Sequence, residues 1–139
     1  ITTAESCTGG GVSYALTDTP GSSRYLGRAF VTYSNEAKHE LLNVATSTLE
    51  QYGAVSEQTV KEMALGAKNL ANVDVAIAIS GIAGPGGATQ DKPVGFVWFC
   101  LQFADKQFTF KQIFSGDRAQ VRMQAIEFAL KNTIEKINL

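Results

Sequence analysis

Residues 73–80, VDVAIAIS, are the strongest indication of the fold in this 139-residue chain. They are almost continuously apolar over the length of one strand, which is typical of a strand covered on both faces by other elements. Strand-like residues 1–5 lie upstream, helical patterns fill much of the sequence between, and the apolar residues 96–101 (FVWFCL) follow. Because the segments alternate in type, we predict an α/β protein with helices on both sides of one sheet.

The sequence after this strand predicts an antiparallel hairpin. Residues 96–101 and 108–114 are both rich in aromatic side chains, and Asp105-Lys106 between them is typical of a turn. Residues 29–34 (AFVTYS) predict a further strand. We therefore expect a three-layer α/β/α fold with a mixed, partly antiparallel sheet. The apolar hairpin is also a candidate homodimer interface.

Capping signatures predict where the main helices begin, because Ser, Asn and Asp side chains bond the free N–H groups of a first turn. Apolar residues at helical spacing then give the two longest helices one buried face each. The predicted caps are Asn35, Ser47 with Glu50, Ser56, and Asp117 with Gln120. The predicted buried faces carry Val60, Met63, Ala64, Ala67 and Leu70 in one helix, and Val121, Ala125, Phe128 and Ala129 in the other.

The composition excludes several classes of protein. Hydrophobic residues make up 45% and charged residues 18%, and 12 basic against 13 acidic side chains leave a net charge of −1. A disordered chain needs fewer apolar residues, and a non-specific binder of nucleic acid or membrane surfaces needs one dominant sign of charge. No apolar run reaches the roughly 18 residues of a membrane span, and no signal peptide is visible, so we expect a cytoplasmic protein.

The length fits a single domain over residues 1–139. The chain starts at Ile1 without a methionine, in what has the pattern of a strand interior. We therefore expect that an N-terminal helix or an upstream segment is missing in front of it.

The chain offers few ligands for a metal. His39 is the one histidine, Cys7 and Cys100 are the two cysteines, and no carboxylate cluster suits magnesium. We therefore expect no metal and no cofactor, which disfavours a phosphatase or pyrophosphatase. A reducing compartment also disfavours a disulfide between Cys7 and Cys100.

Ser6 stands between a strand end and a glycine-rich helix start. Unpaired backbone N–H groups at such a point favour negative charge, so they form a candidate oxyanion hole for an intermediate on Ser6. The donors would be the amides of Thr8, Gly9 and Gly10. A capping serine in a tight turn explains the same residues without chemistry. Cys7, with His39 as its base, is an alternative nucleophile.

Two cations stand where a helix dipole disfavours them. Lys38 falls in the first turn after Asn35, and Arg118 follows Asp117 at the start of the last helix. Burial would make Lys38 a better general base, and a bound phosphate would turn the cost at Arg118 into a gain. The plain alternatives are a solvated Lys38 and a salt bridge from Arg118 to Asp117 or to another surface carboxylate. Two such exceptions in one small domain favour function, because local rules are broken most often at sites.

A glycine-rich loop, residues 80–87 (SGIAGPGG), follows the central strand. Its glycines allow a ligand to approach the backbone closely. The loop lacks the Gly-Lys-Ser/Thr of a Walker A motif and the spacing of a dinucleotide-binding fingerprint. A generic ligand loop and a purely structural loop both fit it.

Six segments in order resemble the nicotinamide-nucleotide amidohydrolase family, also known as the CinA C-terminal domain family. They cover the chain nearly end to end. The resemblance implies an α/β/α fold and an enzyme that hydrolyses the carboxamide of nicotinamide mononucleotide to nicotinic acid mononucleotide and ammonia, without metal. The segments are residues 3–10 (TAESCTGG), 32–38 (TYSNEAK), 53–56 (GAVS), 80–87 (SGIAGPGG), 92–95 (KPVG) and 114–118 (FSGDR).

The resemblance also implies roles for particular residues. Ser6 would be the nucleophile, Lys38 its base, and Tyr33 would orient the pair or assist proton transfer. Arg118 would hold part of the nucleotide, such as its phosphate. The pocket would be lined by Ser80, Gly81, Ala83, Gly84 and Gly86. The family often carries threonine where this chain has Ser80, and the hydroxyl is retained.

The alternative is a non-catalytic nucleotide-binding or regulatory domain of a CinA-type protein. Ser6, Tyr33 and Lys38 argue against it, because a domain released from catalysis need not keep all three. Under either hypothesis we expect the protein to bind a small nucleotide, and to bind neither nucleic acid nor a membrane.

Overall fold

The computed structural model describes residues 1–138 and confirms the α/β/α prediction. These residues form five strands and five α-helices, with a short 3₁₀ turn at Ser22–Arg24. The elements are β1 (Thr2–Glu5), α1 (Gly11–Leu16), β2 (Phe30–Val31), α2 (Asn35–Leu42), α3 (Thr46–Tyr52), α4 (Glu57–Ala71), β3 (Val75–Gly81), β4 (Phe96–Phe103), β5 (Lys106–Ile113) and α5 (Arg118–Ile137).

The strands form one mixed sheet in the order β2-β1-β3-β4-β5. β1 runs parallel to both of its neighbours, β2 and β3. β4 is antiparallel to β3, and β5 is antiparallel to β4, so the predicted hairpin is confirmed. The apolar segment of residues 73–80 supplies most of β3, which is the middle strand of the five.

Alternate residues of β3 enter two separate cores, which explains its continuous apolar sequence. Ile77 and Ile79 face the layer of α1 and α5, whereas Ala76 and Ala78 face the layer of α2 and α4. The α1–α5 layer contributes Val12, Val121, Ala125 and Ala129, and the α2–α4 layer contributes Leu42, Val60, Met63, Ala64 and Ala67.

Two glycines allow neighbouring helices to approach closely. A Cβ at Gly66 in α4 would collide with the backbone of Leu42 in α2. A Cβ at Gly11, the first residue of α1, would meet the Cδ1 atom of Ile126 in α5. The second contact brings the start of α1, and with it the turn after β1, against α5.

The start of α2 differs from the prediction by one residue. Ser34, not Asn35, is the cap: its extended backbone (φ −87°, ψ 161°) lets its Oγ accept the amide of Ala37 at 3.0 Å. Asn35 is the first helical residue instead. Lys38 therefore lies one position further into the helix than the sequence indicates.

The capping box predicted at Ser47 and Glu50 is wrong. The cap position is Ala45, two residues before Ser47, so α3 begins at Thr46 and no side chain of its own caps it. Glu62 of α4 takes this place, because its carboxylate accepts the amide of Ala45 at 2.8 Å and the hydroxyl of Thr48 at 2.6 Å. The cap comes from a distant helix, where no local pattern shows it.

Other elements confirm the predictions or correct them slightly. Ser56 caps α4, and Asp117 forms a reciprocal capping box with Gln120 at the start of α5. Leu70, predicted on a buried face, is 47% exposed, and Phe128 is half-buried. The strand predicted over residues 29–34 shortens to β2, an edge strand that pairs with β1 alone. Within residues 1–138, no helix is both long and apolar enough to cross a membrane.

Candidate active site

The three parallel strands end at the same edge of the sheet. β1 lies between β2 and β3 in the sheet. The chain therefore connects β1 to β2 on one side of it and later reaches β3 on the other side. Open α/β sheets bind ligands at such a switch point, outside the carboxyl ends of the strands. Ser6 follows β1 directly, and its amide extends the ladder by donating to the carbonyl of Ile79 at 3.0 Å. Thr32 follows β2, and Ser80 lies at the end of β3.

A buried lysine meets Ser6 at this edge. Lys38 comes from the middle of α2, and its Nζ lies 3.1 Å from the Oγ of Ser6. The same nitrogen donates to the carbonyl oxygens of Thr32 at 3.0 Å and Tyr33 at 3.2 Å. Lys38 is 1% exposed and Ser6 is 7% exposed. The alternative of a solvated lysine is therefore wrong.

The surroundings of Lys38 make its neutral form easier to reach than for a lysine in water. Burial lowers the pKa of the Lys38 amine from its ordinary value of 10.5 to about 8. In the part of the chain that the structure describes, the one ion pair joins Lys61 to Glu57, so no carboxylate pairs with Lys38. A neutral amine has two N–H donors and one lone pair. Since the two carbonyls accept the two donors, the lone pair is left for the hydroxyl proton of Ser6.

Glu5 organises the turn after β1, a role that the sequence analysis does not predict. Its side chain is fully buried and accepts four hydrogen bonds from neutral donors. The carboxylate therefore caps α1 and occupies the amides at the start of that helix. A buried acid directly before a glycine-rich helix start is the signal that points to this role. The four donors are the hydroxyls of Thr3 (3.0 Å) and Thr8 (2.6 Å) and the amides of Val12 (2.8 Å) and Ser13 (3.0 Å).

The turn itself leaves some amides free. The amides of Thr8 and Gly10 donate to no acceptor among residues 1–138. The amide of Gly9, also expected to face an anion, donates instead to the carbonyl of Ser6 at 3.0 Å and closes the turn. The free donors near Ser6 thus belong to the turn rather than to the first turn of α1.

Tyr33 and Arg118 connect this pair to the glycine-rich loop. The Tyr33 carbonyl accepts from Lys38, whereas its hydroxyl accepts from the Nη2 of Arg118 at 3.0 Å. The Nη1 of Arg118 donates to the carbonyl of Gly84 at 2.7 Å. Tyr33 therefore links two sets of hydrogen bonds: its carbonyl belongs to the Ser6–Lys38 pair, and its hydroxyl to Arg118 and Gly84.

The alternative of a salt bridge between Arg118 and Asp117 is wrong. The Asp117 carboxylate accepts the amide of Gln120 at 2.9 Å, and no carboxylate of the described chain lies within 4.0 Å of the guanidinium. The Arg118 side chain is exposed. Its charge is therefore open to an anionic ligand, whereas the helix N-terminus beside it is already capped.

The loop over residues 80–87 divides into a packed base and an open tip. Ser80 is 1% exposed and Ala83 is 5% exposed, and Gly84 is buried as well. Gly86 is exposed, and a Cβ there would meet no atom within 4 Å. Gly84, through its carbonyl, is the loop residue that accepts a hydrogen bond from Arg118. Gly81 and Gly86 belong to the same loop, three residues before Gly84 and two residues after it.

The structure does not bring the alternative nucleophile and its base together. Burial raises the pKa of the Cys7 thiol to about 11, and Cys7 packs in the apolar core between α1, α5 and the sheet. The Nδ1 of His39 lies 2.8 Å from the carbonyl of Val44, and the side chain is exposed. Cys7 and Cys100 are free thiols. Across residues 1–138, no three His, Cys, Asp or Glu side chains are grouped to hold a metal.

A serine beside a buried lysine, at the switch point of an α/β sheet, is typical of enzymes that use an activated hydroxyl as nucleophile. The chain belongs to the family described as "CinA C-terminal domain", whose profile matches residues 1–137. The resemblance seen in the sequence is therefore confirmed.

Similar proteins agree with this assignment. A nicotinamide-nucleotide amidohydrolase PncC of Enterobacter agglomerans is 58% identical over 98% of this chain and 84% of its own length. The protein of the same name from Escherichia coli K12 is 54% identical over 94% of this chain and 80% of its own length. The crystal structure of competence damage-inducible protein A from Klebsiella pneumoniae has a TM-score of 0.96 and 42% identity, covering 99% of this chain and 85% of that one.

Proposed function

We propose that this protein hydrolyses the carboxamide of nicotinamide mononucleotide to nicotinic acid mononucleotide and ammonia, through an acyl-enzyme on Ser6. The names of relatives at 54% and 58% identity support the reaction and the substrate. The observation that carries the mechanism is the 3.1 Å contact between the buried Lys38 amine and the Ser6 hydroxyl.

Acylation begins with proton transfer from Ser6 Oγ to Lys38 Nζ, and the serine oxygen attacks the amide carbon. The carbonyl oxygen then carries a negative charge, which the amides of Thr8 and Gly10, free of other acceptors within residues 1–138, would stabilise. When the C–N bond breaks, the protonated lysine returns its proton to the departing nitrogen. Ammonia leaves, and an ester joins Ser6 to the substrate.

Deacylation reverses the roles. Neutral Lys38 takes a proton from water, and the resulting hydroxide equivalent attacks the ester carbon. The C–O bond breaks, the lysine returns the proton to Ser6 Oγ, and the acid product loses its own proton to solvent and leaves as the carboxylate. Through both steps the carbonyls of Thr32 and Tyr33 hold the lysine nitrogen in place, because each accepts one N–H whether the amine is neutral or charged.

Recognition of the nucleotide falls to Arg118 and the loop. The guanidinium uses two donors on neutral groups, the Tyr33 hydroxyl and the Gly84 carbonyl, so it keeps its charge and its other donors for a phosphate. Ser80, Gly81, Ala83, Gly84 and Gly86 would line the pocket beside it.

A homodimer also belongs to this proposal. β5 forms an edge of the sheet, and Ile113 at its end is 64% exposed. The hairpin of β4 and β5 is the candidate interface, and light scattering of the purified protein would give its mass.

Release of ammonia from nicotinamide mononucleotide tests the reaction. Wild type and Cys7→Ala should release ammonia, whereas Ser6→Ala and Lys38→Met should lose at least about 10³-fold in kcat. Circular dichroism and thermal unfolding should show all four proteins folded. Activity in Ser6→Ala with loss in Cys7→Ala would overturn the serine mechanism. Nucleotide binding by wild type without turnover would favour the non-catalytic alternative.

A further inference from the structure

We propose that Arg122 is a positioning residue that aims the amide of Thr8 at the developing oxyanion. This inference rests on the proposed function, since an oxyanion forms only when Ser6 attacks a carbonyl. Neither the family motifs in the sequence nor the names of the relatives assign Arg122 a role.

Arg122 holds the turn after β1 from outside. It lies one helical turn after Arg118 on α5, and its Nε donates to the carbonyl of Cys7 at 3.1 Å. Its Nη2 lies 3.5 Å from the carbonyl of Thr8. Among the residues that the structure describes, no carboxylate lies within 4.0 Å of this guanidinium. The positive charge of Arg122 therefore rests on main-chain carbonyls of the turn.

Because of the geometry of the peptide bond, the contact of Arg122 with the Cys7 carbonyl also orients the Thr8 N–H. In a trans peptide the C=O and the N–H point in opposite directions. The carbonyl of Cys7 and the amide of Thr8 belong to one peptide unit. Because Arg122 holds that carbonyl on the α5 side, the Thr8 N–H points away from α5, and it has no acceptor of its own within residues 1–138.

Two further contacts keep this peptide in one orientation. The Thr8 hydroxyl donates to the buried Glu5 carboxylate at 2.6 Å, which fixes the side-chain end of the same residue. A Cβ at Gly9 would lie 3.3 Å from the Nη2 of Arg122, so the guanidinium packs closely over the turn. The peptide between Cys7 and Thr8 is thus held from both sides.

Arg122 also acts through its charge. A cation on a carbonyl oxygen polarises the peptide, which strengthens the N–H of the same unit as a donor. The field reaches the neighbouring side chain, since Arg122 lowers the pKa of the Cys7 thiol against the larger opposite effect of burial. Stabilisation of this kind grows as the carbonyl oxygen of the substrate gains charge, and so it acts on the transition state.

A competing role for Arg122 is direct binding of the substrate phosphate. Its side chain lines a cleft of about 540 Å³ between α1 and α5, together with Tyr14 and Met123. The two roles differ in kinetics. Loss of a phosphate ligand raises KM, whereas loss of an oxyanion-aiming contact lowers kcat and leaves KM nearly unchanged.

The experiment compares Arg122→Met and Arg122→Lys with Lys131→Met, which removes an exposed charge from the same helix. We expect Arg122→Met to lower kcat by about 10- to 100-fold, somewhat less than outright loss of an oxyanion donor, with KM changed less than about twofold. Arg122→Lys, which keeps the charge but has a single nitrogen to contact the turn, should recover part of the loss. Lys131→Met should match wild type.

A second readout separates aiming from folding. 3-Pyridylboronic acid forms a tetrahedral adduct with an active-site serine and carries a negative charge like the intermediate, so its affinity should fall in Arg122→Met by about the same factor as kcat. Affinity for the product, nicotinic acid mononucleotide, should stay unchanged.

Three results would overturn the inference: kcat equal to that of Lys131→Met, a rise in KM alone, or equal loss of boronic acid and product affinity. If Arg122→Met does not fold, the same comparisons apply to Arg122→Lys. Activity retained in Ser6→Ala would instead refute the proposed function, whatever the Arg122 variants show.

Discussion

The amine of Lys38 and the hydroxyl of Ser6 lie 3.1 Å apart, although 32 positions separate them in the sequence. Lys38 reaches the pair from α2, and Ser6 reaches it from the turn after β1. The remaining contacts of the amine are two carbonyl oxygens, which accept and cannot donate. This arrangement turns the lone pair of a neutral lysine towards the serine proton.

The pH dependence of kcat/KM should report the ionisation of Lys38. Burial lowers the pKa of its amine from 10.5 to about 8, so the base form appears at lower pH than for a lysine in water. Below pH 8 the free enzyme carries a protonated amine that cannot accept the serine proton. We expect kcat/KM to rise about tenfold per pH unit at low pH, to bend near pH 8 and then to level off. A flat profile between pH 6 and 9, or a limb near 10.5, would contradict this assignment.

Tyr33→Phe separates the two ends of that residue. The substitution removes the hydroxyl that accepts from Arg118 and keeps the carbonyl that accepts from Lys38. We expect KM for nicotinamide mononucleotide to rise about 3- to 10-fold, the cost of one hydrogen bond, with a smaller change in kcat. Steady-state kinetics measures both. A fall in kcat of about 100-fold or more at unchanged KM would instead assign the hydroxyl to proton transfer.

Glu5→Gln should destabilise the protein and lower its activity. The carboxylate accepts four hydrogen bonds in a fully buried position, whereas an amide offers one acceptor oxygen and turns an NH₂ towards the other donors. We expect the free energy of unfolding in urea to fall by about 1–3 kcal/mol. Glu127→Gln, an exposed change on α5, is the control and should stay within about 0.5 kcal/mol of wild type. Equal stability of the two variants would show that Glu5 is not the anchor of the turn.

Much of the fold could be predicted because its determinants are local. The apolar run that becomes β3 can be read from adjacent residues, and so can the capping box of Asp117 and Gln120. The shift from Asn35 to Ser34 arises because both residues are good caps and stand side by side. The cap of α3 could not be predicted, since Glu62 belongs to the next helix.

The site divides in the same way. Ser6, Lys38 and Arg118 could be singled out because each breaks or exploits a rule of helix starts that is visible in sequence. Glu5 and Arg122 could not, because their importance lies in contacts. Arg122 bonds a carbonyl 115 positions away, and Glu5 collects donors from a turn whose shape the sequence does not specify. Which amides of the turn stay free likewise depends on which of them donate to carbonyls in the folded protein.

In the proposed mechanism the substrate is joined covalently to Ser6 while Lys38 serves as its base, and mass spectrometry of the quenched reaction can detect that covalent bond. Wild type mixed with nicotinamide mononucleotide, quenched in acid within milliseconds and digested, should yield the peptide containing Ser6 with the mass of the substrate less ammonia added. Tandem fragmentation should place the acyl group on Ser6, Cys7→Ala should give the same adduct, and Ser6→Ala should give none. An adduct on Cys7, or ammonia release by Ser6→Ala at the wild-type rate, would contradict the account.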